Sequence, residues 1–169
     1  MSHWMLRLLK HRRLDERDAE RLIGAGAMQR IEALVASSES RHSGEIRVCV
    51  EAGLPYSYIR RGATPRERAV GMFSKLRVWD TEAGNGVLIY LLLAEHAIEI
   101  VADRALSRHV DAGQWQQIMV AMQSAFKTDR FEDGLTQAVA AVDVLLTRHF
   151  PLAPGAVNTN ELPNAPYLR

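Results

Sequence analysis

The feature that most constrains this chain is the apolar run Val87-Leu88-Ile89-Tyr90-Leu91-Leu92-Leu93, entered directly from Trp79-Asp80-Thr81-Glu82-Ala83-Gly84-Asn85-Gly86. Such a run is too short to cross a bilayer and too continuous for a strand with one wet face, so it reads as a central strand covered on both sides. Asn85-Gly86 permits a tight turn into it. A helix-period segment ends near Trp79, so the loop is where a crossover helix hands the chain back to a sheet.

The elements around that strand follow in order. The segment Asp15 to Ile23 is highly charged and reads as a weak helix or a linker, so residues 1–26 form a basic and charged extension. From Ala27 to about Ser40, Met28, Ile31, Leu34 and Val35 recur at helical spacing, with Arg30, Glu32 and Glu39 facing out. In Glu45-Ile46-Arg47-Val48-Cys49-Val50-Glu51 the period changes to two, giving a strand with one core face and one face at least partly wet. Tyr56 to Gly62 has no clear period and reads as loop. Thr64-Pro65-Arg66-Glu67 carries a capping threonine, a first-turn proline and a glutamate that reaches back, a strong helix start. Ala69, Val70, Phe73 and Leu76 mark its buried stripe, leaving Arg66, Arg68, Lys75 and Arg77 toward solvent.

After the central strand, Ala94-Glu95-His96 is a tight connection to a returning strand, Ala97 to Ala102. Asp111 caps a helix whose stripe is Trp115, Ile118, Met119, Met122 and Phe126, and a last helix carries Leu135, Val139, Val142, Leu145 and Leu146 on one side. Prolines 151, 154, 163 and 166 rule out a helix at the C-terminus, so residues 151–169 form an extended tail, on the domain or in solvent. Residues 27–150 are the α/β domain. A right-handed strand-helix-strand crossover and a hairpin give a Rossmann-like three-layer α/β/α sandwich around a small mixed sheet.

That topology gathers distant residues. The Asp80 loop enters the second strand, the third strand ends at the same edge with Asp103, and the first strand begins there. Asp80, Glu82, Asn85, Asp103, Asp111 and Glu45 are therefore expected along one rim. Carboxylates with an amide oxygen suit a hard cation, Ca²⁺ or Mg²⁺. The plainer reading is that these acids face water and cap backbone groups. Arg104 beside them either holds a phosphate or neutralises the acids. Arg47 and Glu99, both on strands, read as a same-face ion pair.

Other chemistries are excluded by pattern. The histidines show no HExxH spacing, and no GxSxG, phosphate-binding or dinucleotide-binding glycine motif occurs. The single Cys49, on a strand, excludes a disulfide within the chain and reads as an inert buried thiol. A net charge of +1 over 169 residues gives no global attraction to nucleic acid. Residues 4–13 combine Trp4, Leu8 and Leu9 with Lys10, Arg12 and Arg13, a short basic amphipathic turn that either makes peripheral membrane contact or, as a single marginal helix usually does, packs on its own domain or frays.

Four stretches taken together resemble the TPM domain: His42-Ser43-Gly44-Glu45-Ile46-Arg47-Val48, Lys75-Leu76-Arg77-Val78-Trp79-Asp80, Asn85-Gly86-Val87-Leu88-Ile89-Tyr90 and Ile98-Glu99-Ile100-Val101. The resemblance spans about residues 27–150 and implies the same Rossmann-like sandwich. Chloroplast members of that family are described as acid phosphatases and as helpers of photosystem repair, with divalent cations near the acidic loop. Carried over, this implicates Asp80 and Glu82 as cation ligands, with Asn85 shaping the turn. The chain has Gly84 where many relatives have a further acid, and Asp103-Arg104-Ala105-Leu106 where they have a glycine-rich segment. No signal peptide or anchor like that of most bacterial relatives is read in it, so the resemblance leads to the expectation of a soluble cytoplasmic branch. Two functions are thus expected. One is an accessory module whose rim engages a membrane-associated protein. The other is a cation-dependent phosphatase in which Asp80 and Glu82 hold the metal, Asp103 orients water and Arg104 steadies developing charge.

Overall fold

A computed structural model describes residues 3–169 of the chain. In order, the elements are α1 (His3–Arg12), α2 (Glu16–Ile23), α3 (Ala27–Glu39), β1 (Ile46–Glu51), α4 (Tyr56–Arg60), α5 (Pro65–Lys75), β2 (Val87–Leu92), β3 (Ala97–Ala102), α6 (Arg104–Ser107), α7 (Ala112–Lys127), α8 (Phe131–His149) and β4 (Tyr167–Leu168). The sheet order is β3-β2-β1-β4. β1 runs parallel to β2 with Ile46 opposite Val87, and β2 pairs antiparallel with β3 with Val87 opposite Ala102.

Every residue of β2 is buried because helices cover both faces. On one side Ile46, Val48, Val50, Val87, Ile89 and Leu91 pack against α2, α3, α7 and α8 through residues such as Ile31, Phe126 and Val142. On the other, Cys49, Leu88, Tyr90 and Leu92 meet Ile59, Ala69 and Met72 of α4 and α5, with Leu162 of the tail. Each large aliphatic side chain removed from water in this way contributes about 2 kcal/mol. Ala19 and Ile23 of α2 belong to the first of these cores, so the charged segment near residue 20 is a packed helix with a capping box on Asp15.

Several readings of the sequence need correction. β1 has no wet face, since all six of its residues are buried. Tyr56 to Arg60 is a short helix rather than loop. Arg68 is not a solvent-facing cation: its guanidinium forks onto both carboxylate oxygens of Glu51, and Tyr90 donates its hydroxyl to the same carboxylate at 2.7 Å. Polar side chains in β1 therefore mark internal partners, an ion pair at Glu51 and tail carbonyls at Arg47, not a surface.

Arg47 and Glu99 do not pair either. Arg47 donates to the carbonyls of Pro163 and Ala165, while Glu99 stands 3.6 Å from Arg66. The C-terminal tail lies on the domain. Asn158 donates to the His42 carbonyl at 3.0 Å, and Tyr167–Leu168 add a short parallel strand beside Cys49 and Val50.

The Glu51–Arg68 pair predicts an asymmetric mutational response. Arg68→Ala leaves a buried carboxylate with only the half-exposed Arg169, 3.8 Å away, as counter-ion and should cost about 3 kcal/mol in urea unfolding. Replacing both partners by apolar residues of similar volume, Arg68→Met with Glu51→Leu, should recover most of that loss. A single variant within 1 kcal/mol of wild type, on the order of the surface-pair range, would show that the pair is solvated after all.

Candidate functional site

The polar end of the sheet is built by close backbone approach. A side chain at Gly86 would place its Cβ 2.0 Å from the Val78 carbonyl oxygen, so only glycine lets the loop fold under the end of the crossover helix. Gly84 adopts a left-handed conformation, φ 59°. The exit of β3 is stitched to this loop: Asp103 N–H donates to the Gly86 carbonyl at 2.9 Å and Ala105 N–H to that of Gly84 at 3.1 Å. The topological expectation holds: the loop before β2, the start of β1 and Asp103 share one rim.

The rim disperses its acids among different tasks. Asp103 caps α6 by accepting from Arg104 N–H at 2.6 Å through Oδ1, and its Oδ2 points at Gly84. Asp80, exposed, is taken by Arg77 as an ion pair one helical turn away. Glu82 is exposed, and its backbone N–H donates to Glu161 of the tail at 2.9 Å. Asp111 caps α7, accepting from Gln114 N–H at 2.9 Å. Asn85 is fully buried; its amide donates to Ser43 Oγ at 3.3 Å and its side-chain carbonyl oxygen has no partner among the described residues. Glu45 is buried beneath the tail, where Oε2 accepts from Leu162 N–H at 3.0 Å. Among the described residues, no group of three or more His, Cys, Asp or Glu side chains stands together as a metal cage.

What does converge is a depression of about 390 Å³ lined by Trp79, Gly84, Asp103, Arg104, Ala105 and Arg108. Trp79 is half exposed there, and both arginines are exposed. Trp79 and Arg108 carried no functional signal in the sequence. Trp79 looked like the end of a helix stripe, and Arg108 depends on where a short helix turns.

A second group escaped sequence reading altogether. Glu39, expected to face out, is buried at the end of α3, where Oε1 accepts from Ile46 N–H at 2.8 Å on the open edge of β1. Burial, reinforced by the neighbouring Glu45, pushes its carboxyl up to about 8. Glu45 is raised as well, again by burial. Among the described residues, one oxygen on each acid is buried without a hydrogen-bond partner, as is Asn164 Oδ1 in the covering tail. Nearby, Ser38, His42 and Asp143 resemble a catalytic triad by composition. The serine, however, sits between the other two, 2.8 Å from Asp143 Oδ1 and 2.9 Å from His42 Nε2, and both Ser38 and His42 are buried. This trio ties α3 to α8 and offers no nucleophile to a substrate.

Fold and rim together define an α/β/α sandwich whose polar end is formed by the loops entering two parallel strands and the exit of an antiparallel third. The chain belongs to the TPM domain family, whose model matches residues 17–145. It is similar to the solution NMR structure of the BA42 protein from the psychrophilic bacterium Bizionia argentinensis. That likeness has a TM-score of 0.73 at 27% identity and covers 86% of this chain and 94% of that one. No curated protein matches the chain.

Burial of Glu39 and Glu45 is expected to add a component of stability that falls with rising pH. Glu39 binds its proton more tightly folded, at about 8, than at its ordinary 4.5, so the folded state holds the extra proton between those values. The stability contributed by this proton is full below pH 4.5 and is lost as pH climbs toward 8. Glu39→Gln retains an acceptor for Ile46 N–H without the charge. It should flatten most of that decline in thermal melts and raise the midpoint above wild type at alkaline pH, with Glu45 supplying the remaining slope. Identical pH profiles for the two proteins would contradict the buried placement of Glu39.

Proposed function

We propose that this TPM domain is a recognition module, not a catalyst, and that its rim engages a partner protein at a membrane surface. The observation that carries the reading is the exposed Trp79 beside Arg104 and Arg108 around one depression. A half-exposed tryptophan among arginines is the composition of an interface anchor. The arginines favour a partner segment that presents acidic side chains.

A divalent cation, Ca²⁺ or Mg²⁺, belongs to this proposal as a modulator of the rim. Asp103 Oδ2 is free of hydrogen bonds among the described residues, and hard oxygen donors are available in Glu82 and Asp80 once Asp80 leaves Arg77. The donor set is spread out and lacks an acid at Gly84, so binding is expected to be weak and largely water-completed. When bound, the ion would supply charge neutralisation at the loop; Asp103 and Glu82 would hold it.

The competing reading is cation-dependent hydrolysis of a phosphomonoester, favoured by one observation: Arg104 and Arg108 flank Asp103 and can clamp a phosphate. One set of measurements separates the two. Purified protein is expected to show no saturable hydrolysis of p-nitrophenyl phosphate with Ca²⁺ or Mg²⁺, and Asp103→Asn is expected to change nothing in that assay. Proximity crosslinking in native cells should recover a defined partner that Trp79→Ala and Arg104→Glu each release at least tenfold. Turnover that disappears in Asp103→Asn would establish the enzyme, and crosslinking indifferent to both rim variants would end the recognition reading. Amide shifts during Ca²⁺ titration should be confined to residues 80–86 and 103–111, and unchanged spectra would remove the cation.

A further inference from the structure

Helix α1 has no acidic residue, and its two faces are unusual. The face toward the domain is polar and clamped. Arg7 donates to Glu95 Oε1 and to the Ala63 carbonyl, both at 2.7 Å. His11, buried, accepts from Leu54 N–H through Nδ1 at 3.0 Å, so its Nε2 carries the proton and donates to the same Glu95 at 2.8 Å. Burial alone would raise Glu95, but these donors outweigh it and hold the carboxyl down near 2. The last turn of the helix lies so close to the exit of β1 that a Cβ on Gly53 would stand 2.5 Å from the His11 carbonyl.

The outward face is the apolar one. Met5 and Leu9 are one turn apart with Leu6 beside them, and they remain 41%, 48% and 55% exposed; Trp4 on the shoulder is 46% exposed. Lys10, Arg12 and Arg13 flank this stripe and, among the described residues, form no ion pair, as does exposed Arg60 on the adjoining α4. The first acid along the chain, Asp15, is occupied as the cap of α2. A groove of about 630 Å³ between α1 and the α4–α5 turn, walled by Trp4, Leu6, Ile59 and Pro65, extends the apolar surface.

Single exposed hydrophobic residues need no explanation, but a contiguous stripe rimmed by cations does. Its pattern is that of a helix lying in a lipid interface, with leucine and methionine below the headgroups, tryptophan at their level and lysine and arginine among the phosphates. We propose that the outward face of α1 is a peripheral docking surface for an anionic lipid bilayer. The cations select the bilayer's charge, and the clamp on Glu95 presents the helix as a fixed paddle. This inference does not depend on the reading of the rim.

Flotation of the full chain with phosphatidylcholine vesicles, with and without phosphatidylglycerol, tests it. Binding is expected only to the vesicles containing phosphatidylglycerol, and it should weaken steeply as salt rises from about 0.1 M to about 1 M. Leu6→Glu with Leu9→Glu should abolish it. Lys10→Ala with Arg12→Ala should weaken it about 25-fold, since each cation near such a surface contributes about fivefold. All four positions are exposed, so thermal melts should match wild type, whereas Trp79→Ala should bind like wild type and so keep this surface distinct from the rim. Equal binding to both vesicle types, binding to neither, or full binding by the Leu6/Leu9 variant would overturn the proposal. So would a concentration-dependent dimer that the Leu6/Leu9 variant breaks, because a second copy would then be what covers the stripe.

Discussion

The parallel pairing of β1 and β2, both buried along their whole length, is the constraint from which the rest of the molecule follows. A parallel pair requires a crossover, and a crossover helix covers only one face of the sheet. The second face must be covered by chain from elsewhere, here α3 and α8 from either side of the sheet segment. The open edge of β1 must also be satisfied, and the tail does so with a two-residue strand and a series of side-chain bonds. Layers, edge and tail are three answers to the same demand: no backbone group of the central pair can be left in an apolar interior without a partner.

The parts of this solution that were legible in the sequence are those fixed by local chemistry or by an unbroken run. Val87 to Leu92 could only be interior, and Thr64-Pro65-Arg66-Glu67 started a helix where the capping box is found. Topology then placed Asp103 beside the Asp80 loop without any distance information. What escaped was set by partners far along the chain. Arg68 looked like one of several surface cations until Glu51, seventeen residues away, folded against it. Glu39 ends a helix stripe in a position that is outward by period, yet the β1 edge and the tail close over it. The tail strand has no period to read, because two residues joined by proline-rich chain carry no alternation.

The candidate site was legible as a place but not as an arrangement. Loop ends collect Asp and Asn because these side chains accept from free backbone donors, and that is how Asp103 and Asp111 are spent. Counting acids at a sheet edge therefore overstates ligands. A side chain capping a helix has committed one oxygen to its own backbone, and Asp80 has a guanidinium in place of a cation. Among the described residues of the rim, an aromatic ring, two guanidinium groups and the Glu82 carboxylate are left exposed and uncommitted, and the first three are what the proposed recognition reading rests on.

The two surfaces stand at opposite ends of the sheet. The rim lies where β1 and β2 begin, whereas α1 is fastened to Leu54 just past the end of β1 and to Glu95 in the connection between β2 and β3. Six residues of strand separate these ends, about 20 Å at the rise of an extended chain. A domain lying on a bilayer through α1 would thus hold Trp79 and the rim arginines away from the lipid, at a height set by the length of β2. The rigidity of that arrangement comes from the buried sheet and from the charge clamp on Glu95, which ties α1 directly to the hairpin of the strand it stands beneath. On the two proposals, lipid contact and partner contact would fall to separate surfaces of one domain, and the central strand pair that dictates the fold would also set the distance between them.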